Sequence, residues 1–368
     1  MFTIEMLDAY EGDALWIEYG AGEDVHRVLI DAGRKETYRD IVERIEATEG
    51  PLDLFVITHI DDDHIFGALP LLADGRVAAD RFRDVWYNGY TQLDPAIARR
   101  PPRDVLGAKK GEIFAGLLLQ GGFPWNNLFD DGRTAVVEDE GELPWRELAG
   151  GMRLTLLSPR WHDLARLRDF WDRTLEDIEP GDAAAALALF EDLRDVQPDV
   201  LGGSLDIQGI LDDDDEKMDD KEPNGSSIAF LAEWDGRRVL FTGDAHPPVL
   251  EGSIRRLLEE RGEGPRLRLD AFKVSHHGSK KNTSRALLDL IDCDTFLIST
   301  SGSRHHHPDK QALARIVDRF RGGARPTRLF FNHRSDETQV WDDPDAQDAW
   351  NYRAYYPPAG CLLDLGTD

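Results

Sequence analysis

The segment Thr58–His64, THIDDDH, directly follows Leu52–Thr58, LDLFVIT, a continuous apolar and β-branched run that reads as a buried strand. In extended backbone alternate side chains point the same way, so His59, Asp61 and Asp63 converge on one side of the chain. His64 follows at the point where the chain turns into a helix. A solvated acidic loop with a capping aspartate would account for one of these residues. It does not account for a His-x-Asp-x-Asp-His series delivered by a hydrophobic strand, and that series reads as a metal site.

Three more loops present chemistry after predicted strands. Leu240–His246, LFTGDAH, puts Asp244 at the tip of a glycine turn. Lys273–Ser284, KVSHHGSKKNTS, carries the adjacent histidines His276 and His277 into a Gly-Ser loop. Ser301–Asp309, SGSRHHHPD, carries His307 just before a helix. Each motif is weak alone, but all of them sit at C-terminal ends of strands, where layered α/β folds assemble their sites. Lys280 and Lys281 read either as a local cationic patch for phosphate or as part of a solvated loop.

The remaining pattern supplies a frame. Residues 1–35 read as short strands, with Phe2, Ile4 and Met6 in period two. Ile41 and Ile45 mark a helix over Tyr38–Ala47, and Ala108–Gln120 is a second helix closed by Gly121-Gly122-Phe123-Pro124. Met152–Ser158 is a strand, residues 160–200 read as a helical insertion, and 201–223 as an acidic linker whose DDDDEKMDDKEP run repels itself. Asp235-Gly236 joins two strands as a hairpin. The expected architecture is α/β: two sheets face to face with helices outside, in one domain over 1–368. Neither cysteine has metal or disulfide spacing, and no run approaches the length of a membrane span. The N-terminus has no leader pattern, so a cytoplasmic enzyme is expected. The formal charge of −28 disfavours indiscriminate binding to long nucleic acid or to anionic membranes.

Taken in order, LDxxxGDA (Leu7–Ala14), VLIDAG (Val28–Gly33), THxDxDH, LSP (Leu157–Pro159), NGSSI (Asn224–Ile228), FTGDAH, SHHGS and HPDKQAL (His307–Leu313) resemble the metallo-β-lactamase-fold hydrolases. Within them, the branch related to the hydrolase domain of the bacterial competence DNA-uptake channel is the most similar. The resemblance covers most of residues 1–90 and 150–320 and implies an αββα four-layer sandwich with two divalent metal ions, Zn²⁺ or Mn²⁺. By position it implies His59 and Asp61 on a first metal, Asp63, His64 and His307 on a second, and Asp244 bridging both. His276 or His277 would face the substrate, donating a proton to the leaving group, or complete the coordination. Asn224 stands where many relatives place another first-metal histidine, and Asp31 would brace the loop. Asp61 and Asn224 depart from the commoner histidines and make the first site richer in oxygen, which favours harder ions. Three carboxylates and a hydroxide would balance two divalent cations, leaving a cluster that accepts an anionic phosphodiester. The resemblance implies a phosphodiesterase, nuclease-like, acting on small-molecule or short single-stranded nucleic-acid substrates. The alternatives are an ester, lactone or amide hydrolase, and a metal-binding regulatory or scaffold protein whose partner meets the 160–200 insertion.

Overall fold

The computed structural model describes residues 1–93, 109–129, 134–174 and 205–366. Its architecture follows from a two-fold alternation along the strands. In Asp24–Ile30, Val28 and Ile30 face one hydrophobic cluster and Leu29 faces another; in Leu54–Val56, Leu54 and Val56 divide from Phe55 in the same way. A strand apolar on both faces has to be covered on both faces, which requires stacked layers.

Among the described residues the first sheet runs Leu362–Asp364, Phe2–Met6, Leu15–Ala21, Asp24–Ile30, Leu54–Val56, Val85–Trp86. The second runs Tyr352–Tyr355, Thr327–Phe331, Thr295–Ile298, Ala271–Lys273, Arg237–Phe241, Ala229–Trp234, Arg153–Ser158, Trp145–Glu147. Each sheet changes character partway across. Asp24–Ile30, Leu54–Val56 and Val85–Trp86 pair in parallel, as do the five strands from Arg237–Phe241 to Tyr352–Tyr355; the other pairs are antiparallel. The inner faces meet through Ile4, Ile17, Val28 and Val56 on one side and Leu156, Phe230 and Phe241 on the other. Helices Tyr38–Ala47, Ala68–Ala73 and Lys109–Gly121 cover the first sheet through Ile41, Leu69, Phe114 and Leu118. Helices Pro247–Arg261 and Lys310–Phe320 cover the second through Leu250, Ile254, Leu313 and Ile316. This is a metallo-β-lactamase-like αββα sandwich, and the sequence expectation of that fold class holds.

Three local expectations differ. The strand before the SHHGS loop is two pieces: Leu267–Arg268 pairs with Ile291–Asp292 in a small sheet of its own, and Ala271–Lys273 enters the large one. The last strands, Tyr352–Tyr355 and Leu362–Asp364, were not read from the sequence, because both are short and half exposed. The third difference is the acidic segment. Of the 160–200 insertion, helix Trp161–Thr174 is described, and 175–204 lie outside the described residues. From residue 205 onward, however, the expected self-repelling linker is packed. It forms the helix Ile207–Asp212 and then a strap in which Asp214, Asp215, Glu216 and Asp219 each meet a partner. Asp214 meets the buried Arg315 guanidinium through both oxygens, Asp215 meets Lys280 and Lys217, and Glu216 accepts the Arg285 backbone N–H. Like-charge repulsion is a local estimate; here it is overcome by cations 60 to 100 residues away.

Candidate metal centre

Every residue of the centre sits just beyond a strand of the parallel region or in the first hairpin of the neighbouring sheet. Strand Asp24–Ile30 ends at Asp31, whose backbone is left-handed at φ 58° and whose side chain is fully buried. Its carboxylate accepts the Thr58 backbone N–H at 2.7 Å, the Thr58 hydroxyl at 2.8 Å and His64 Nδ1–H at 2.7 Å. One aspartate therefore shapes the whole THIDDDH loop, as the resemblance implied. The turn before Leu15–Ala21 closes over that loop at Gly12, where a Cβ would lie 1.9 Å from the Asp63 carbonyl oxygen. Asp13 N–H donates to that same carbonyl at 3.0 Å.

Asp244 lies at the centre and is buried. Its two oxygens face different partners. Oδ2 is 3.7 Å from His59 Nε2 and 3.5 Å from His276 Nε2, while Oδ1 is 3.4 Å from His64 Nε2. Asp61 Oδ2 lies 3.9 Å from His59 Nε2. On the other side, His277 Nε2 is 3.3 Å from Asp63 Oδ2 and 3.2 Å from His64 Nε2. Two adjacent cradles result. One is formed by His59, Asp61 and Asp244 Oδ2, the other by Asp63, His64, His277 and Asp244 Oδ1.

All four imidazoles are oriented alike. His64 Nδ1 meets Asp31, and His277 Nδ1 meets the Ser299 carbonyl at 2.9 Å. His59 Nδ1 meets the Thr58 hydroxyl oxygen at 3.1 Å, whose proton goes to Asp31. His276 Nδ1 meets Asn282 Oδ1 at 3.0 Å. An acceptor behind each Nδ1 places the proton there and leaves the Nε2 lone pair facing the carboxylates. His59 Nε2 and Asp244 Oδ1, both buried, have no hydrogen-bond partner among the described residues. Burial and the charges of Asp63 and Asp244 push Asp61 up to about 7. Burial and the neighbouring His64 bring His59 down to about 4. Against burial, Asp13 and Asp63 push His277 up to about 10, and Asp244 and Asp31 raise His64 well above its usual range. Crowded carboxylates around inward-facing Nε2 atoms suit divalent cations, which compete with protons for the same lone pairs. The donor set fits divalent metal: Asp13, His64, Asp244 and His277 offer ligand atoms within 4.8 Å of one another.

The structure brings His59, Asp61, Asp63, His64 and Asp244 together. It does not bring His307 into the second cradle, where the sequence reading put it; His277 stands there instead. Consecutive left-handed residues, His276 at φ 48° and His277 at φ 54°, splay the two side chains apart, His276 toward Asp244 Oδ2 and His277 toward Asp63 and His64. His307 packs edge-on against His276, with ring centroids 5.3 Å apart. Asn224 is fully buried and donates to Asp219 at 2.6 Å, behind His276. Lys280 turns to Asp215 at 3.1 Å and is committed there.

Two residues were missed. Asp13 accepts from Lys273 Nζ at 2.7 Å, and its other oxygen is 3.5 Å from His277 Nδ1. The Gly-Asp pair after the first strand was its signal. Asp219 is buried within the acidic strap and had no signal in sequence beyond its charge.

Comparison with known proteins gives three findings. Residues 152–302 match the Metallo-beta-lactamase superfamily. Over 105 residues the chain is 30% identical to ComE operon protein 3 of Bacillus subtilis (strain 168), a stretch that is 27% of this chain and 12% of that protein. Among solved structures, a putative metal-dependent hydrolase from Parabacteroides distasonis aligns at TM-score 0.37 and 11% identity, covering 96% of this chain and 92% of that one. The CmlA beta-hydroxylase E377D mutant aligns at TM-score 0.37 and 12% identity, covering 99% of this chain and 54% of that one.

Proposed function

We propose that this chain, which carries a metallo-β-lactamase superfamily domain, is a metal-dependent hydrolase acting on a phosphodiester. The observation that carries the reading is Asp244, which turns one oxygen to His59 and the other to His64. His59, Asp61 and Asp244 would hold one divalent ion; Asp63, His64, His277 and Asp244 would hold the second. Bound there, such ions lower the pKa of water toward neutrality and stabilise charge on a phosphoryl oxygen.

The chain's own residues supply the rest. Asp31, Thr58 and Ser299 hold imidazole protons at Nδ1 and keep the Nε2 atoms aimed inward. His307 lies outside both cradles, and burial together with the charges of His276 and His277 holds it well below the usual imidazole range, so it would meet the substrate as a neutral ring. Beside it, His305 is lowered by its partial burial, opposed by Asp63 and reinforced by the charges of Lys221 and Arg304. Those two cations would be the local attraction for an anion at this edge, although Arg304 also lies 4.0 Å from Glu11. On a chain of net charge −28 a grip of this size suits a short or single-stranded substrate better than long duplex.

The test is hydrolysis of bis(p-nitrophenyl) phosphate and of a labelled oligonucleotide, with Mn²⁺ or Zn²⁺ and with chelator. Phosphodiester cleavage that chelator abolishes and that Asp244→Ala lacks is the expected result. Turnover of esters or lactones alone would replace the phosphodiester reading with that chemistry.

A further inference from the structure

The first cradle is one imidazole short. His59 is the histidine that the THIDDDH loop gives it, and Asn224 occupies the position where another nitrogen ligand was expected. The structure shows what stands in that gap. His276 Nε2 lies 3.5 Å from Asp244 Oδ2, the same oxygen that His59 Nε2 faces at 3.7 Å. The ring is partly buried and packs edge-on against His307. Its far nitrogen is braced too, by a different part of the chain. Asn282 Oδ1 accepts from His276 Nδ1 at 3.0 Å, and Asn282 Nδ2 in turn donates to Asp219 Oδ2 at 3.1 Å and to the Asp244 carbonyl at 2.9 Å. Asn224 Nδ2 donates to the same Asp219 oxygen at 2.6 Å, and that oxygen is 3.6 Å from His276 Nδ1. Asp219 thus stands behind His276 at one remove: it is 3.6 Å from Nδ1 and orients the ring through Asn282, whose Oδ1 accepts from Nδ1, while Asn224 Nδ2 lies 3.3 Å from the same nitrogen.

Resting on the metal-centre reading above, we infer that His276 is the replacement ligand of the first metal, and that Asp219, delivered by the acidic strap, is its positioning residue. Asn224 then has a changed part. It contributes no ligand nitrogen to the metal and instead orients the carboxylate that orients the new one. The strap is a built element of the centre, anchored by Asp214 on Arg315 and by the Asp219 N–H on the Lys281 carbonyl at 3.2 Å.

The experiment measures metal content and the cobalt spectrum, with no substrate involved. Wild type, His276→Ala, His276→Gln and Asp219→Asn are loaded with Co²⁺, dialysed against a competing chelator and checked for folding by far-UV circular dichroism. The glutamine variant serves if the alanine variant does not fold. Wild type is expected to retain two ions per chain and the His276 variants one, with the visible Co²⁺ bands changed in intensity and position. Asp219→Asn, nearly isosteric, is expected to bind the first ion about 10- to 100-fold more weakly and to shift the same bands. Two ions and an unaltered spectrum in the folded His276 variants would overturn the ligand assignment while leaving the two-metal reading in place. Wild-type affinity and bands in Asp219→Asn would overturn the positioning role. Wild type that binds no more than one ion would overturn the two-metal reading and this inference with it.

Discussion

Asp31 concentrates three hydrogen bonds on one buried side chain, and its left-handed backbone is a conformation asparagine also tolerates. Asp31→Asn therefore isolates the charge: it should fold, yet hold metal about 10- to 100-fold more weakly, as chelator competition would measure. Unchanged affinity would mean that the loop holds His64 without help. The two late histidines separate in the same way. His277→Ala should cost the second ion, because its Nε2 stands between Asp63 and His64. His307→Ala should keep both ions and lower phosphodiester turnover, because its neutral ring faces the substrate and not a metal. Metal analysis beside steady-state rates distinguishes the two, and loss of metal from the His307 variant would restore the assignment that sequence order suggested.

Elements matter here through their ends. The strap from residue 213 to 221 has little apolar surface of its own and stays in place through buried polar pairs. Arg315 is the largest of them. Its guanidinium is fully buried and donates to Asp214, to the Lys280 carbonyl at 2.6 Å and to the Thr283 carbonyl at 2.8 Å. Arg315→Ala leaves a buried carboxylate and two carbonyls without their partner, an expected loss of about 3–5 kcal/mol. Denaturant titration measures that loss, and limited proteolysis should show new cleavage between residues 205 and 223. A variant as protease-resistant as wild type would show that the strap is held elsewhere.

At the scale of the whole molecule the two sheets have to keep their relative position, since the centre draws on both. Asp13 comes from the first sheet and Lys273 from the second; they pair at 2.7 Å with both side chains buried. Lys273→Met should destabilise the protein by about 3–5 kcal/mol, because Asp13 loses its cation. Asp13→Leu on top of Lys273→Met should recover part of that, as an apolar pair replaces an ionic one. A denaturation series on the two single variants and the double variant gives the coupling. Additivity of the two losses would show that the pair does not act as a unit.

How much of this was legible in sequence depended on the distance over which each residue's partner acts. Period-two and period-3.6 patterns fixed the layers, since burial on both faces of Leu54–Val56 follows from its composition alone. Alternation in extended backbone brought His59, Asp61 and Asp63 to one side, because the geometry is local to six residues. The choice between His277 and His307 was not local. It turned on two successive left-handed residues after Lys273 and on where the neighbouring strands of the sheet end. Least legible was Asp219. In sequence it is one acid in an acidic run and reads as solvated charge. Its burial is set by Asn224, Asn282 and His276, and its segment is held by Arg315, nearly a hundred residues on. A carboxylate's tendency to stay in water is a property of its own chemistry. Whether it is repaid for leaving water depends on donors that only the folded chain brings within 3 Å.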